Sequence, residues 1–346
     1  MIKVAIVGIT GYAGVEAARL VLNHPEFKLT FAGSQTFKGQ KLCDVYTHLR
    51  GITDIVCEEP DVEKIAQAAD AAIVALPHGA SMKMTCDLAE KGLKVVDLSA
   101  DYRYDNIDIY EKVYGIKHEY PEWNKKAVYG IPELYREKIK EAPVVANPGC
   151  YPTCSILGFA PLLCEKRIDP KSIIIDAASG VSGAGRKSEL SYSFCECTEN
   201  FLAYKPASHR HTSEIAEQFS KLYGEPIKLT FTPHLVPMKR GMLVTGYASL
   251  TKEASAEELL ELYKEYYKGE YFVRILNKGV YPETKSVAGS NFIDIGNATD
   301  KETGRVIVLS AIDNIGKGAS GQGIQNLNLM FGIDEKAGLS VSGLYL

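Results

Sequence analysis

Asn147-Pro-Gly-Cys150-Tyr-Pro152-Thr follows the apolar run Val144-Val145-Ala146. Pro148-Gly149 makes a turn, and Pro152 suits the first turn of a helix, where its missing N–H costs nothing. Cys150 is therefore predicted at a helix N-terminus, whose partial positive charge favours thiolate and lowers a pKa ordinarily about 8.5. The competing reading is a buried, inert thiol, the usual fate of cysteine. Seven of the eight cysteines (43, 57, 86, 150, 154, 164, 195, 197) fit that reading, and Cys154, one turn further on, reads as simple core.

Ser208-His209-Arg210-His211-Thr212-Ser213-Glu214 puts three basic groups ahead of a helical stretch, 213–223. Two histidines two apart can ligate a metal, but no third ligand stands near them, and Cys195-Glu-Cys197 has no second pair, so no metal site is expected. Proton transfer suits an imidazole better, its ordinary pKa being about 6.5. His211 is expected to begin the helix, its backbone used in capping with Glu214 reaching back. The positive helix end also disfavours imidazolium there. His209, two residues earlier, is expected to stand free in the loop as the acid–base group, while a structural role stays open for either ring.

Anions have several candidate receptors. Gly8-Ile-Thr-Gly11-Tyr-Ala-Gly14 sits between a strand (2–7) and a helical pattern from Val15, where glycines let backbone N–H groups approach a pyrophosphate. The second strand, 28–34, ends in Ala32-Gly33-Ser34-Gln35-Thr36, where an NAD-selecting fold carries Asp or Glu. A carboxylate there would repel a 2′-phosphate, whereas the hydroxyls of Ser34 and Thr36 and the nearby Lys38 accept one, so NADP(H) is expected over NAD(H). Ser179-Gly180-Val-Ser-Gly183-Ala-Gly185-Arg186 leaves backbone open beside a ligand and ends on a guanidinium fork. Arg103, in Ser99-Ala-Asp101-Tyr-Arg103, lies past the C-terminal end of a parallel strand, where open α/β sheets bind ligands.

The elements that must hold these groups fall into two sets. Over the first 100 residues, strands (2–7, 28–34, 71–76, 94–98) alternate with helical stretches (from 15, and 81–91), the pattern of a parallel sheet covered by helices. Beyond residue 150, strands dominate (173–176, 227–232, 242–250, 271–276, 292–295, 306–312), with helices at 213–223 and 256–267. That describes an α+β unit with a largely antiparallel or mixed sheet. The segment 319–330 reads as an amphipathic helix. A chain of 346 residues supports two cores. Its net charge of −4 gives no reason to expect nucleic acid or an anionic membrane as a partner. No apolar run approaches the roughly 20 residues of a membrane span, and no leader precedes the first strand. A soluble, cytoplasmic protein with reduced thiols is expected.

Together with Leu76-Pro77-His-Gly79, Tyr129-Gly-Ile-Pro-Glu-Leu134, His209-Arg-His-Thr212 and Asp313-Asn314-Ile-Gly-Lys-Gly-Ala319, these motifs resemble N-acetyl-γ-glutamyl-phosphate reductases of arginine biosynthesis, in order along nearly the whole chain. The resemblance implies an N-terminal Rossmann-type domain (1–147, with a C-terminal helix, 318–346, packing back on it). It implies a catalytic and oligomerisation domain (148–317), assembled as a homodimer or homotetramer. It also implies a small-molecule substrate, N-acetylglutamyl phosphate, whose γ-acyl group passes to Cys150 as a thioester before reduction by NADPH. The resemblance makes Cys150 the nucleophile and draws the acid–base group from the His209-Arg-His211 motif, within which the loop position above favours His209; the substrate would meet Arg103, Asn147, Arg186 and Arg210. The cofactor would meet Gly8, Thr10, Gly11, Tyr12, Ala13, Gly14, Ser34, Thr36, Pro77, Ser179, Gly180 and Asn314. Aspartate-semialdehyde dehydrogenase shares the fold and the cysteine mechanism and is the first rival. It places its catalytic histidine after a Val-Pro strand pair, where Leu235-Val-Pro-Met-Lys-Arg-Gly-Met242 offers Met242. A dinucleotide-binding sensor without turnover is the rival of a different kind.

Overall fold

The structure is a computed structural model describing residues 1–186 and 189–346. The chain divides into two compact units, Met1–Pro148 with Ala319–Ser340, and Gly149–Gly318 with Val341–Leu346.

The first unit is built on seven parallel strands: β1 (Ile2–Val7), β2 (Phe27–Gly33), β3 (Cys57–Glu58), β4 (Ala71–Val74), β5 (Lys94–Asp97), β6 (Ala127–Tyr129) and β7 (Val144–Ala146). Their order is β3-β2-β1-β4-β5-β7-β6, so the winding reverses between β1 and β4. β4 and β7 are buried along their length and β1 from Val4 to Val7, as a sheet covered on both faces requires, and every residue of β4 is apolar. At a reversal of this kind the crevice beyond the strands' C-terminal ends is open to a ligand, and Gly8–Gly14 emerges there from β1.

The helix Gly321–Met330 completes this unit, and it is not amphipathic, because all ten residues are buried. Its polar side chains form an internal amide network. Gln322 Nε2 and Asn326 Nδ2 both donate to the Gly130 carbonyl, at 2.9 and 3.0 Å, and Asn328 Oδ1 meets His24 Nε2 at 3.0 Å. The C-terminal helix expected over 318–346 thus ends at Met330, and the last six residues belong with the second unit, where Leu344 N–H donates to the Ala288 carbonyl.

The second unit carries β8 (Ile174–Gly180), β9 (Leu202–Ala203), β10 (Thr230–Val236), β11 (Met242–Ser249), β12 (Val273–Ile275), β13 (Ile293–Asp300) and β14 (Arg305–Ile312), in the order β12-β13-β14-β11-β8-β10-β9. The β8–β10 and β12–β13 pairs are parallel and the others antiparallel, so the sheet is mixed. β10 and β11 alternate buried with half-buried residues, so one face is covered. The cover is the helix Cys150–Cys164, buried from Tyr151 to Leu163. It packs so closely that a Cβ on Gly246 would stand 2.2 Å from the Phe159 ring. A helix apolar on all sides must lie between layers, and the helix His211–Tyr223 supplies the other one.

Candidate active site

In the first unit, Gly8 turns with φ +84°, and a Cβ there would stand 2.4 Å from the Ala75 oxygen. A Cβ on Gly14 would meet the Gly8 oxygen at 2.2 Å, whereas one on Gly11 would have only that oxygen, at 3.5 Å. Gly8 and Gly14 therefore close the turn, and Gly11 leaves room outside it. Tyr12 and Ala13 open the helix Tyr12–Leu22, which has no side-chain cap at its N-cap Gly11. A glycine turn feeding an uncapped helix start is the shape a dinucleotide pyrophosphate fits.

Ser34 is not presented as its position suggested. It is 4% exposed, shares a 2.9 Å hydrogen bond with Thr10 Oγ1 and accepts from Phe37 N–H at 3.3 Å. The two hydroxyls stitch the β1 turn to the end of β2, and Tyr46 adds a bond from its hydroxyl to the Thr10 carbonyl. Gln35, Thr36 and Lys38 are the exposed residues here.

Pro77 is exposed beyond β4, in a turn held from below. Gly79 N–H donates to both oxygens of the buried Asp101, at 2.9 Å each, and Tyr110 OH donates to the same carboxylate at 2.8 Å. Asp97 is buried beside it, bonded by Ser81 and Ser99, and burial followed by the Asp101 charge pushes its pKa up to about 6.

Arg103 and Asn147 were read as substrate groups, but much of their bonding capacity is internal. Arg103, 5% exposed, gives Nε to the Asn147 carbonyl at 2.7 Å and Nη2 to the Leu98 carbonyl at 2.9 Å. It thereby ties the ends of β5 and β7 together. The Asn147 amide donates to the Ala319 carbonyl and accepts from Asn326, both at 3.0 Å. Both residues fix the backbone entering the Pro-Gly-Cys turn.

In the second unit Cys150 is the first residue of its helix, with Gly149 at the N-cap and no side-chain cap. It is half-buried. Gly149 N–H donates at 3.0 Å to Glu214 Oε1, a carboxylate 1% exposed. Glu214 was expected to cap its own helix; it reaches across to hold the cysteine's turn, and the N-cap Arg210 has no side-chain cap bond. Gly318 seals the other side, since a Cβ there would stand 2.8 Å from Cys150 Cβ. Cys154 is fully buried, bonds Ser310 through Sγ at 3.3 Å, and is pushed up to about 12 by burial. It is core.

His209 is not free in its loop. Its Nδ1 accepts from His211 N–H at 3.1 Å, which leaves the proton of the neutral ring on Nε2, 3.5 Å from Tyr204 OH. Tyr151, Tyr204, Phe231 and His211 pack edge-on around it. Burial, with Lys205 and Arg210 adding like charge, pushes its pKa down to about 4. At neutral pH it is a hydrogen-bond donor through Nε2. The tyrosines continue the chain, Tyr204 OH donating to Tyr151 OH at 3.2 Å and Tyr151 OH to the His234 carbonyl at 3.3 Å.

Ser179, Gly180 and Asn314 are brought together. Asn314, 2% exposed, accepts from Gly241 N–H and donates to Ser182 Oγ, both at 2.9 Å, bracing the loop after β8. Gly180 must be glycine because main-chain oxygens of Met238 and Lys239 lie 2.9 Å from where a Cβ would sit. Arg186 and Arg210 are exposed. The sequence reading missed Arg240, whose Nε meets the fully buried Asp313 at 2.7 Å. Asp313 also accepts from the main chain of Ile315 and Gly316. The Asp-x-x-Gly spacing of 313–316 signals such a turn, but nothing local signals its arginine.

A glycine turn at the switch point of a parallel sheet, followed by a mixed-sheet unit whose first helix begins on a cysteine, defines the semialdehyde dehydrogenase class. Residues 3–142 match the family description "Semialdehyde dehydrogenase, NAD binding domain", and residues 150–314 match "Semialdehyde dehydrogenase, dimerisation domain". The fold is that of aspartate semialdehyde dehydrogenase from Candida albicans, solved with NADP (TM-score 0.74, 16% identity, 96% of this chain and 98% of that one). Aspartate semialdehyde dehydrogenase II from Vibrio cholerae, complexed with ASA, is similar (TM-score 0.73, 16% identity, 96% and 98%). The chain is 56% identical over 346 residues to N-acetyl-gamma-glutamyl-phosphate reductase of Acetivibrio thermocellus, covering 100% of both. It is 50% identical over 345 residues to the protein so named in Desulforamulus reducens, again covering 100% of both. The chain belongs to the N-acetyl-gamma-glutamyl-phosphate reductase family. Among the described residues, no helix is long and apolar enough to cross a membrane.

Proposed function

We propose that the chain reduces N-acetyl-γ-glutamyl phosphate to N-acetylglutamate 5-semialdehyde with NADPH, releasing phosphate, as a cytoplasmic enzyme of arginine biosynthesis. The observation that carries the reading is Cys150 as the first residue of its helix, its turn pinned by Glu214, in a chain of this family. The helix end favours negative charge on sulfur. The Cys150 thiolate attacks the acyl carbon, the C–O bond to phosphate breaks, and a thioester forms. NADPH supplies the hydride for the next step. His209, neutral and carrying its proton on Nε2, donates to the oxyanion that then develops and need not give its proton away. Collapse of the thiohemiacetal returns the sulfur as thiolate and frees the aldehyde.

Gly8, Thr10, Gly11, Tyr12, Ala13 and Gly14 would hold the pyrophosphate, with Thr36 near the ribose and Pro77, Ser179, Gly180 and Asn314 toward the nicotinamide. Ser34 and Asn147 support from behind. Arg103, Arg186 and Arg210 supply charge for phosphate and carboxylate. The active form is a homodimer or homotetramer formed through the second unit.

The test is phosphate-dependent NADP+ reduction with N-acetylglutamate 5-semialdehyde and with aspartate semialdehyde. A kcat/KM at least about a hundredfold higher for the acetylated substrate is expected, a floor below the roughly 10⁴-fold reached where site polar groups would be left unpaired. Preference for aspartate semialdehyde would move the chain to the rival activity, and no turnover with either would favour the sensor.

A further inference from the structure

The residues after β2 and the residue after β3 lie side by side, because Ala32 and Gly33 pair in parallel with Cys57 and Glu58. Ser34 N–H bonds the Glu58 carbonyl at 2.8 Å, and Gly39 N–H bonds the Cys57 carbonyl at 2.8 Å, so the 34–39 loop is fixed to β3 at both ends. Within that loop two side chains converge on one carboxylate. Lys38 Nζ stands 2.6 Å from Glu59 Oε2, and Gln35 Nε2 donates to Glu59 Oε1 at 3.5 Å. Lys38 and Glu59 border a cavity of about 330 Å³ that Gly39, Cys57, Glu58 and Lys64 also line. Cavities near this size take small ligands, and this one lies along β3 and the far end of the loop that follows β2, next to where a dinucleotide fold places its adenosine ribose.

We propose that Glu59 holds the place of the ribose 2′-phosphate, and that its charge sets how strongly the phosphorylated dinucleotide is preferred over the unphosphorylated one. The inference rests on the NADP(H) reading above. An ammonium and an amide aimed at one anion form a receptor that a phosphate can fill, with the same donors and more charge. The pair is exposed, with side-chain exposures of 62% for Lys38 and 49% for Glu59, so water screens it and Lys38 leaves Glu59 easily. Once displaced, Glu59 still stands at the end of β3 beside the phosphate and repels it. When the ribose carries a hydroxyl, the same carboxylate accepts from it, the role an acidic residue plays in NAD-binding folds. Glu59 therefore opposes one cofactor and supports the other, whereas Lys38 supports the phosphorylated one and is indifferent to the other.

Two fragments that differ by the phosphate alone, 2′,5′-ADP and 5′-AMP, isolate the effect, titrated calorimetrically into the full chain. Glu59→Gln is expected to tighten 2′,5′-ADP by about tenfold, the worth of one charged contact, and to leave 5′-AMP within about twofold or slightly weaker. Lys38→Met is expected to weaken 2′,5′-ADP by a similar factor without moving 5′-AMP. If the wild type prefers 2′,5′-ADP but Glu59→Gln leaves the ratio of the two affinities unchanged, the assignment of Glu59 is wrong and the cofactor reading stands. If the wild type binds both fragments equally, the cofactor reading fails and takes this inference with it.

Discussion

The helix that starts at Tyr12 and the helix that starts at Cys150 are entered in the same way. Each follows a parallel strand and a turn, each has glycine at the N-cap (Gly11 at φ −78°, ψ 166°; Gly149 at φ −68°, ψ 158°), and neither glycine supplies a side-chain cap. What surrounds them differs. Around the first, glycines clear the space, and a methyl group on Gly14 would strike the Gly8 oxygen at 2.2 Å. Around the second, side chains crowd in: Glu214 takes the Gly149 N–H, and Tyr151 packs against the imidazole of His209. An anion that comes and goes needs bare main chain with its partial charge exposed. A nucleophile that stays needs its backbone locked, so that the sulfur is presented in one geometry.

The contrast breaks first at the sulfur. Cys150→Ser should lower phosphate-dependent turnover by roughly 10⁴-fold or more, the scale of deleting a nucleophile, while NADPH binding by fluorescence titration stays near wild type. Cys154→Ser, altering a buried thiol bonded to Ser310, should keep the reaction and lose about 1 kcal/mol of stability. Turnover surviving in Cys150→Ser would mean that the second helix start is a binding site like the first.

Replacing His209 by Asn should lower kcat by up to roughly 10²–10³-fold, the scale of one lost oxyanion donor, and His211→Asn should act mainly on Tm or KM. The pH dependence sharpens this. His209 has a folded pKa of about 4, against an ordinary value of 6.5. The unfolded chain therefore takes up this proton first as pH falls. Its contribution to stability is complete above about pH 6.5, is lost as pH drops from there towards 4, and stays lost below. Scans of Tm against pH should show that acid slope in the wild type and a shallower one in His209→Asn. An activity limb near pH 6.5 that vanishes with His209 would show that the ring titrates in its ordinary range and works as a base.

Glu214→Ala leaves the Gly149 N–H buried without its acceptor and should cost about 1–3 kcal/mol of stability, with a loss of kcat. Glu214→Gln keeps an oxygen in place and should recover most of both. If alanine and glutamine behave alike in thermal melts and in kcat, the lock on the cysteine turn is not this hydrogen bond.

The smallest effect belongs to Gly11. A Cβ there meets nothing closer than 3.5 Å and its φ is negative, so Gly11→Ala should fold normally. Its methyl would project where the pyrophosphate must approach, and the NADPH Kd should rise by about tenfold. An unchanged Kd would mean that the ligand does not come that close to the first helix start.

Local rules carried the reading of both helix starts. The Gly8–Gly14 spacing after an apolar strand and the Pro-Gly-Cys-Tyr-Pro order each set their turn within a few residues, because steric limits on φ and proline's missing donor act at that range. The alternation of strand and helix, then of strand with strand, likewise shows which sheet is parallel and which mixed. The same rules misjudged the helix Gly321–Met330, since amide side chains at helical spacing read as a wet face and are here a buried network.

Tertiary structure decided who partners whom. Glu214 has the pattern of a helix cap, yet bonds a main-chain N–H 65 positions away. Asn147 sits in the chemical motif, yet its amide accepts from a residue 179 positions on. Lys38 answers Glu59 across 21 residues because two strands run in parallel. Residue type fixes which bonds a side chain can make. Which of them it does make depends on the partner the folded chain brings within about 3 Å, since a buried donor or acceptor left without one costs more than a bond gains.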